Sequence, residues 1–168
     1  MGQLAKNLLA KVFKPTDLRS YVKSNEGKRL KCYDDKTGKT LLVGDAPEGI
    51  PTIGYGHTGP EVVPGLEWTD TQCEQAYNHD LVLAQTNGQR VFGSFRWGSL
   101  DEVRRAACTD LSFNLGRPRL LRFFHFIKAV AGSDWQLAHD ELLLSEYAKE
   151  LPARAGRNAK MILTGEWQ

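Results

Sequence analysis

Residues 50–57 read IPTIGYGH. Thr52, Ile53 and Tyr55 are good strand formers, but Pro51, Gly54 and Gly56 interrupt them. A glycine inside a strand weakens it and marks a bulge, or a place where a backbone or ligand comes close. Two readings compete: a hairpin turn in a small sheet, or a floor across which a substrate lies. The flanking sequence bears on the choice. Upstream, LKCYDD (30–35), the turn KTGK, TLLV (40–43) and the loop GDAPEG lead into this stretch, so residues 28–67 read as a small antiparallel sheet.

Downstream the pattern changes near residue 68. WTDTQCEQAYNHDLVLAQ opens with Thr69 and Gln72 at capping-box spacing, and Cys73, Ala76, Tyr77, Leu81 and Ala84 share a helical face. SLDEVRRAACTDLSFNLG carries a second such pair, Ser99 and Glu102, and closes on Gly116. PRLLRFFHFIKAVAG reads as a helix from Pro118 to Gly132, SDWQLAHDELLL carries a third pair, Ser133 and Gln136, and a last helix runs from near Pro152 to just before Gly165. Ahead of the sheet, PTDLRSYVKSNEG is a helix ending near Gly27, with Leu18, Tyr21 and Val22 on its apolar face. The expected class is α+β: a small sheet lobe over about 27–67, a larger helical lobe over about 68–168, and a cleft between them.

The chain has 168 residues, enough for one domain of two lobes with a real core. Twenty-two Lys and Arg against 20 acids give a net charge of +2, too weak a bias to argue for nucleic acid. Cys32, Cys73 and Cys108 are odd in number and widely spaced with no CxxC pair, which argues against a structural zinc site and a disulfide framework and for folding in a reducing compartment. His79, His125 and His139 lack companions at ligand spacing, so neither a metal nor another cofactor is expected. No apolar run reaches the roughly 18–20 residues that span a bilayer. MGQLAKNLLAKVFKP, residues 1–15, is broken by Lys6 and Lys11 and reads as a short amphipathic helix added to a domain over 16–168.

The chemistry gathers in the first lobe. Glu26 sits at a helix C-terminus, where the dipole is unfavourable to a carboxylate. Asp35 follows nine residues later at a strand–turn corner, and Thr52 heads the glycine-rich stretch. Together they offer an acid, a base and a hydroxyl. Asp34 and Asp45 compete with Asp35 for the second carboxylate; Asp45, closer to Thr52 in sequence, is the second choice.

EGKRLKCYDD followed by TIGYGHTG resembles the phage-type, T4-like lysozymes of glycoside hydrolase family 24. The pattern lies on Glu26, Gly27, Arg29, Leu30, Tyr33, Asp35, Thr52, Ile53, Gly54, Gly56 and His57. RRAACTDLSFNLG, Trp135, Arg154 in PARAGR and the ending LTGEW resemble the family's helical lobe, so the likeness covers roughly residues 16–168. The stretch between Asp35 and Thr52 is longer than in the family, by an insertion around TLLVGDAPEG.

The resemblance implies a muramidase that cleaves the β-1,4 bond between N-acetylmuramic acid and N-acetylglucosamine of bacterial peptidoglycan, with inversion at the anomeric carbon. Glu26 would be the general acid, Asp35 the second carboxylate, and Thr52 would position water. The resemblance also implies that Arg154 pairs with Glu26. His57 reads as a structural histidine. Phe113, Asn114 and Tyr55 are candidate substrate contacts. A retaining route, a lytic transglycosylase, and a glycan-binding or phage-structural module stay open as alternatives. A monomer without membrane insertion is expected, and the family further implies accumulation in the host cytoplasm and access to the wall once a holin has permeabilised the membrane.

Overall fold

A computed structural model describes residues 15–168; the amphipathic helix expected over residues 1–15 lies almost wholly outside them. The order is α1 (Leu18–Ser24), β1 (Arg29–Asp34), β2 (Pro51–Gly54), α2 (Asp70–Phe92), α3 (Ser94–Ser99), α4 (Glu102–Leu120), α5 (Phe124–Gly132), α6 (Trp135–Leu143), α7 (Glu146–Glu150) and α8 (Pro152–Thr164). A small two-stranded sheet and a helical majority give the α+β architecture expected from the sequence.

β1 and β2 are antiparallel, with Tyr33 opposite Thr52 and Asp34 opposite Pro51. Cys32, Leu41, Ile53 and Val62 form a small core under the sheet. The larger core fills the helical lobe, and Trp68 packs against both. The lobes are joined by α2, whose 23 residues span about 34 Å. It packs along α4 and also touches β2. Its buried residues, Cys73, Tyr77, Leu81, Ala84, Gly88 and Phe92, recur every three or four positions. The Thr69 capping box forms: Gln72 N–H donates to Thr69 Oγ1 and Thr69 N–H to Gln72 Oε1.

α4 is the central helix. Every residue from Ala106 to Ser112 is buried, so it meets neighbours on all sides. That burial places Asp110 in the interior. Two helices close against it, α1 from the sheet side and α8 from the C-terminus.

Several expectations are corrected. TLLV is not a strand: Thr40 makes one isolated bridge to Tyr33, while Leu42 and Val43 are 66% and 87% exposed. A local turn wins there, because Asp45 accepts the Leu42 N–H and Gly44 takes φ 91°. The pairs at Ser99 and Ser133 do not cap their helices. Asp101 and Asp134 do, accepting from Arg104 N–H and Leu137 N–H. A carboxylate at a helix N-terminus also gains from the dipole, which a hydroxyl does not. Ser133 instead ends α5 in a left-handed conformation, φ 58°.

The helix expected from Pro118 to Gly132 is two. α4 kinks at Gly116 and continues through Pro118 to Leu120; a turn over Leu121–Phe123 precedes α5. Leu121 and Phe124 are half-exposed, so the apolar run hides a corner that periodicity cannot see. The last helix starts at Pro152 and ends on Gly165, as its sequence predicts.

Candidate active site

The seven-residue α1 ends at Ser24, Asn25 caps it, and Glu26 follows with its N–H bonded to Lys23 O. The chain then turns into β1, which leaves the Glu26 side chain only 15% exposed between the sheet and the helical lobe. Burial pushes its carboxyl above the ordinary range; Arg154 pulls it back, and the charge of Asp110 adds to the rise. The net effect is a carboxyl that holds its proton to higher pH than a surface glutamate.

TIGYGH takes the first of the two readings, a tight hairpin turn. β2 stops at Gly54, and Ile53 and His57 exchange two backbone hydrogen bonds of 3.0 and 2.9 Å. Residues 54–56 are therefore a tight turn. Gly54 and Gly56 both take left-handed φ, 67° and 81°. The turn sets Gly56 against the Glu26 carboxylate. A cavity of about 190 Å3 continues from it, lined by Gly56, Thr58, Asp80, Asn87, Ser112 and Phe113 among others.

The aspartates separate by environment. Asp34 is buried and its two oxygens accept from Lys36, Thr37, Glu48 and Gly49 N–H groups. Led by the Gly49 N–H, these donors depress its pKa to about 2. Asp34 ties the loop at Glu48 and Gly49 to β1. Asp45 caps its own turn through Leu42. It lies in a cavity with Thr37, Lys39 and Glu48, which neither Glu26 nor Thr52 lines. Asp35 is exposed, with Oδ1 accepting from Ile50 N–H at 2.6 Å. Its other oxygen takes no hydrogen bond among the described residues.

Tyr33 links the two ends of this arrangement. Burial pushes its phenol up, Arg29 opposes, and the charges of Glu26 and Asp35 both add to the rise. Both carboxylates therefore act on one ring. Thr52 stands opposite Tyr33 in the register; it is buried and its hydroxyl donates to Ile50 O at 2.9 Å. The Thr52 oxygen thus keeps its acceptor capacity.

Arg154 stands beside Glu26, as the resemblance implies, and behind the pair lies a polar network around Asp110 that the sequence reading missed. Arg154 lies 2.7 Å from Glu26 Oε1 through Nη2, but off the N–H axis, so the oxygen gains charge contact without an aligned hydrogen bond. The guanidinium aligns instead on Asp110: Nε donates to Oδ2 at 2.9 Å and Nη2 to Oδ1 at 2.7 Å. Asn158 and Asn25 donate to the same carboxylate at 2.7 and 3.1 Å. Tyr21 donates to Asn158, and Arg157 to Asn25. The available signal was one acid inside the apolar run AACTDLSF, and Arg154 and Asn158 four apart on one helix face.

The other expected residues fall in different places. Phe113 is half-buried, 5.8 Å from the Tyr77 ring, and lines the cavity beside Gly56. Asn114 is half-buried and does not line that cavity. Tyr55 is buried against Tyr77 and donates its hydroxyl to Glu74 at 2.8 Å. His57 bridges Asp80 through Nδ1 and Glu61 through Nε2, both at 2.7 Å. All three cysteines are free and buried. No helix among the described residues is long and apolar enough to cross a membrane.

These features can be set beside known proteins. A SAR-endolysin of Bacteriophage PS119 is 27% identical over 123 residues, covering 73% of this chain and 64% of that relative. A SAR-endolysin of Bacteriophage PS34 is 28% identical over 91 residues, covering 54% of this chain and 46% of the relative. A probable T4-type lysozyme 1 of Dictyostelium discoideum is 23% identical over 173 residues, covering 89% and 95%. The chain thus spans less than two thirds of the first relative and less than half of the second. The family model for phage lysozyme matches residues 23–160, from before Glu26 to beyond Arg154 and Asn158. The chain belongs to the phage lysozyme family.

Proposed function

We propose that the protein is a peptidoglycan hydrolase, a glycoside hydrolase acting as a muramidase on the β-1,4 bond between N-acetylmuramic acid and N-acetylglucosamine. The observation that carries this reading is the contrast between two carboxyls around one sheet lobe. Glu26 is buried with its pKa raised, while Asp35 is exposed with one oxygen unengaged. Family membership and the endolysin names of the relatives support it.

A glycosidic oxygen leaves poorly until it is protonated. Glu26 donates that proton as the C–O bond breaks and positive charge grows at the anomeric carbon. Water attacks that carbon from the opposite face, and its proton passes to Asp35. Thr52 accepts a hydrogen bond from the water and holds it in line. The carboxylate of Asp35 also stabilises the oxocarbenium-like transition state. This route inverts the anomeric centre. Phe113 presents an apolar wall to the sugar.

In the same reading the enzyme acts as a monomer in lysis of a phage host, passing from the cytoplasm to the wall after a holin opens the membrane. Its appearance in the periplasm without a holin would remove that step.

The test is mass spectrometry of peptidoglycan digested with parent, Glu26→Gln and Asp35→Asn proteins. Reducing muropeptides from the parent, and loss of activity in both variants, are expected. Anhydro sugars would identify a lytic transglycosylase. Wall binding without cleavage by the parent would leave a binding module.

A further inference from the structure

We propose that Asp110 is a positioning residue: by holding Arg154 in a bidentate pair it denies Glu26 a full ion-pair partner, so that Glu26 carries its proton into the cleft. The proposal rests on reading Glu26 as the proton donor.

The geometry is one cation between two acids. Arg154 directs two aligned N–H bonds at Asp110 and none at Glu26, although Nη2 is 2.7 Å from both Asp110 Oδ1 and Glu26 Oε1. Asp110 is 0% exposed and accepts four hydrogen bonds, from Arg154 twice, Asn158 and Asn25. Four converging N–H donors suit a carboxylate and leave no acceptor for a carboxyl proton. Asp110 therefore holds the negative charge that Arg154 balances. A second negative charge at Glu26, 15% exposed, would be left without a partner of its own.

Glu26 relieves that excess by taking the proton. Its Oε1 faces the Arg154 donor, so the proton belongs on Oε2. That oxygen faces Gly56, which lines the cavity. Asp110 thus acts on the reaction from behind the acid, through Arg154 and without touching substrate.

The surrounding groups are consistent with this assignment. From α8, Arg157 reaches the network only through Asn25, donating to its Oδ1. From β1 and α2, Tyr33 and Tyr77 face Glu26 as phenols whose pKa values its charge raises further. The charge of Asp35 also adds to the rise at Tyr33. Tyr21 and Tyr147 flank Asp110 as phenols raised chiefly by burial. Arg154 is the cation in contact with Glu26, and Asp110 decides how much of it is available.

The experiment is a carbon-13 NMR titration of the Glu26 carboxyl in the parent and in Asp110→Asn, which reads protonation whether or not the protein cleaves glycan. Removing the Asp110 charge frees Arg154 for Glu26. The Glu26 midpoint should fall by about one to two pH units, the range for an acid gaining an adjacent cation. The basic limb of kcat/KM should move down by the same amount, with activity retained on the acid side. A purely structural role would lower activity equally at all pH values, and Asp110→Glu should restore the limb.

An unchanged Glu26 midpoint in folded Asp110→Asn overturns the proposal. Should Asp110→Asn not fold, Arg154→Gln reads the same coupling with opposite sign. There the Glu26 midpoint must rise, because Glu26 loses the Arg154 charge and faces that of Asp110 unbalanced, and a midpoint that stays or falls overturns the proposal. A shifted midpoint in a protein whose parent never cleaves glycan would instead remove the reading of Glu26 as a glycosidic acid.

Discussion

Gly56 faces Glu26: a Cβ on the glycine would stand 3.6 Å from the carboxylate Oε2. That is ordinary contact, so space does not forbid a side chain. The backbone does oppose one, because Gly56 takes φ 81° in the turn that closes Ile53 on His57. Left-handed backbone costs a non-glycine residue about 1–2 kcal/mol. Gly56→Ala should lower stability by about that amount. Because the methyl stands beside the proton-bearing oxygen, it should also lower kcat/KM on glycan. Denaturant unfolding with parallel kinetics checks both; full activity would show that the substrate does not approach Glu26 from the Gly56 side.

His57 makes stability depend on pH. Burial is the largest single influence and lowers its pKa, but hydrogen bonds and charge from Glu61 and Asp80 together outweigh it, so the folded pKa is raised. A raised histidine contributes stability that is full below its unfolded pKa, about 6.5, and lost as pH rises through the folded value. Glu61 has the opposite sense. Its pKa is lowered, chiefly by the His57 hydrogen bond, so its contribution is present above its unfolded pKa and lost as pH falls through the folded value. The bridge is strongest between those limits. The melting-temperature gap between parent and His57→Asn should peak near pH 6 and narrow toward pH 9; a gap independent of pH would refute the charged bridge.

Gly88 tests the joint between α2 and α3. A Cβ there would meet the Trp97 ring at 2.6 Å, inside any real contact. Helix propensity favours alanine over glycine by about 1 kcal/mol. Overpacking a filled core costs about 1–3 kcal/mol. The second effect should win, so Gly88→Ala should destabilise by up to about 2 kcal/mol in urea unfolding. A stabilised variant would mean that Trp97 moves aside freely.

The class of fold was legible because local signals agreed. The Thr69–Gln72 box, the spacing of Cys73, Tyr77 and Leu81, and Pro152 with Gly165 each mark an end or a face that the chain adopts. Local competition was harder to read. Leu42 and Val43 favour a strand, yet the Asp45 cap and Gly44 turn the chain first. Capping-box spacing points to Ser99, yet Asp101 accepts the Arg104 N–H and its charge gains from the helix dipole. Asp110 was hidden for a different reason. An acid in a helix reads as solvated until its partner is known, and Arg154 is 44 residues away in sequence. The Glu26, Asp35 and Thr52 candidates came from residue types and spacing and Arg154 from the family resemblance, whereas the acid that shares this cation with Glu26, Asp110, is a property of packing.

The loop between β1 and β2 separates the two candidates for the second carboxylate. Asp35 adjoins the strand that carries Tyr33, and its charge reaches the same ring as that of Glu26. Asp45 is tied to Leu42 N–H in the loop and shares a cavity with Lys39 and Glu48. Losing an acid–base partner in the transition state costs about 10²–10⁴-fold in rate. Losing one hydrogen bond of a surface turn costs about 1 kcal/mol of stability. Asp35→Asn should therefore abolish most turnover with little change in melting temperature. Asp45→Asn should keep turnover within about threefold and lower stability by at most that 1 kcal/mol. Paired turbidity-clearing and thermal-unfolding measurements decide the matter, because the two roles predict opposite patterns. If Asp45→Asn is the inactive variant and Asp35→Asn clears cell walls normally, the water-activating carboxylate lies in this loop, which must move toward Thr52 when glycan binds.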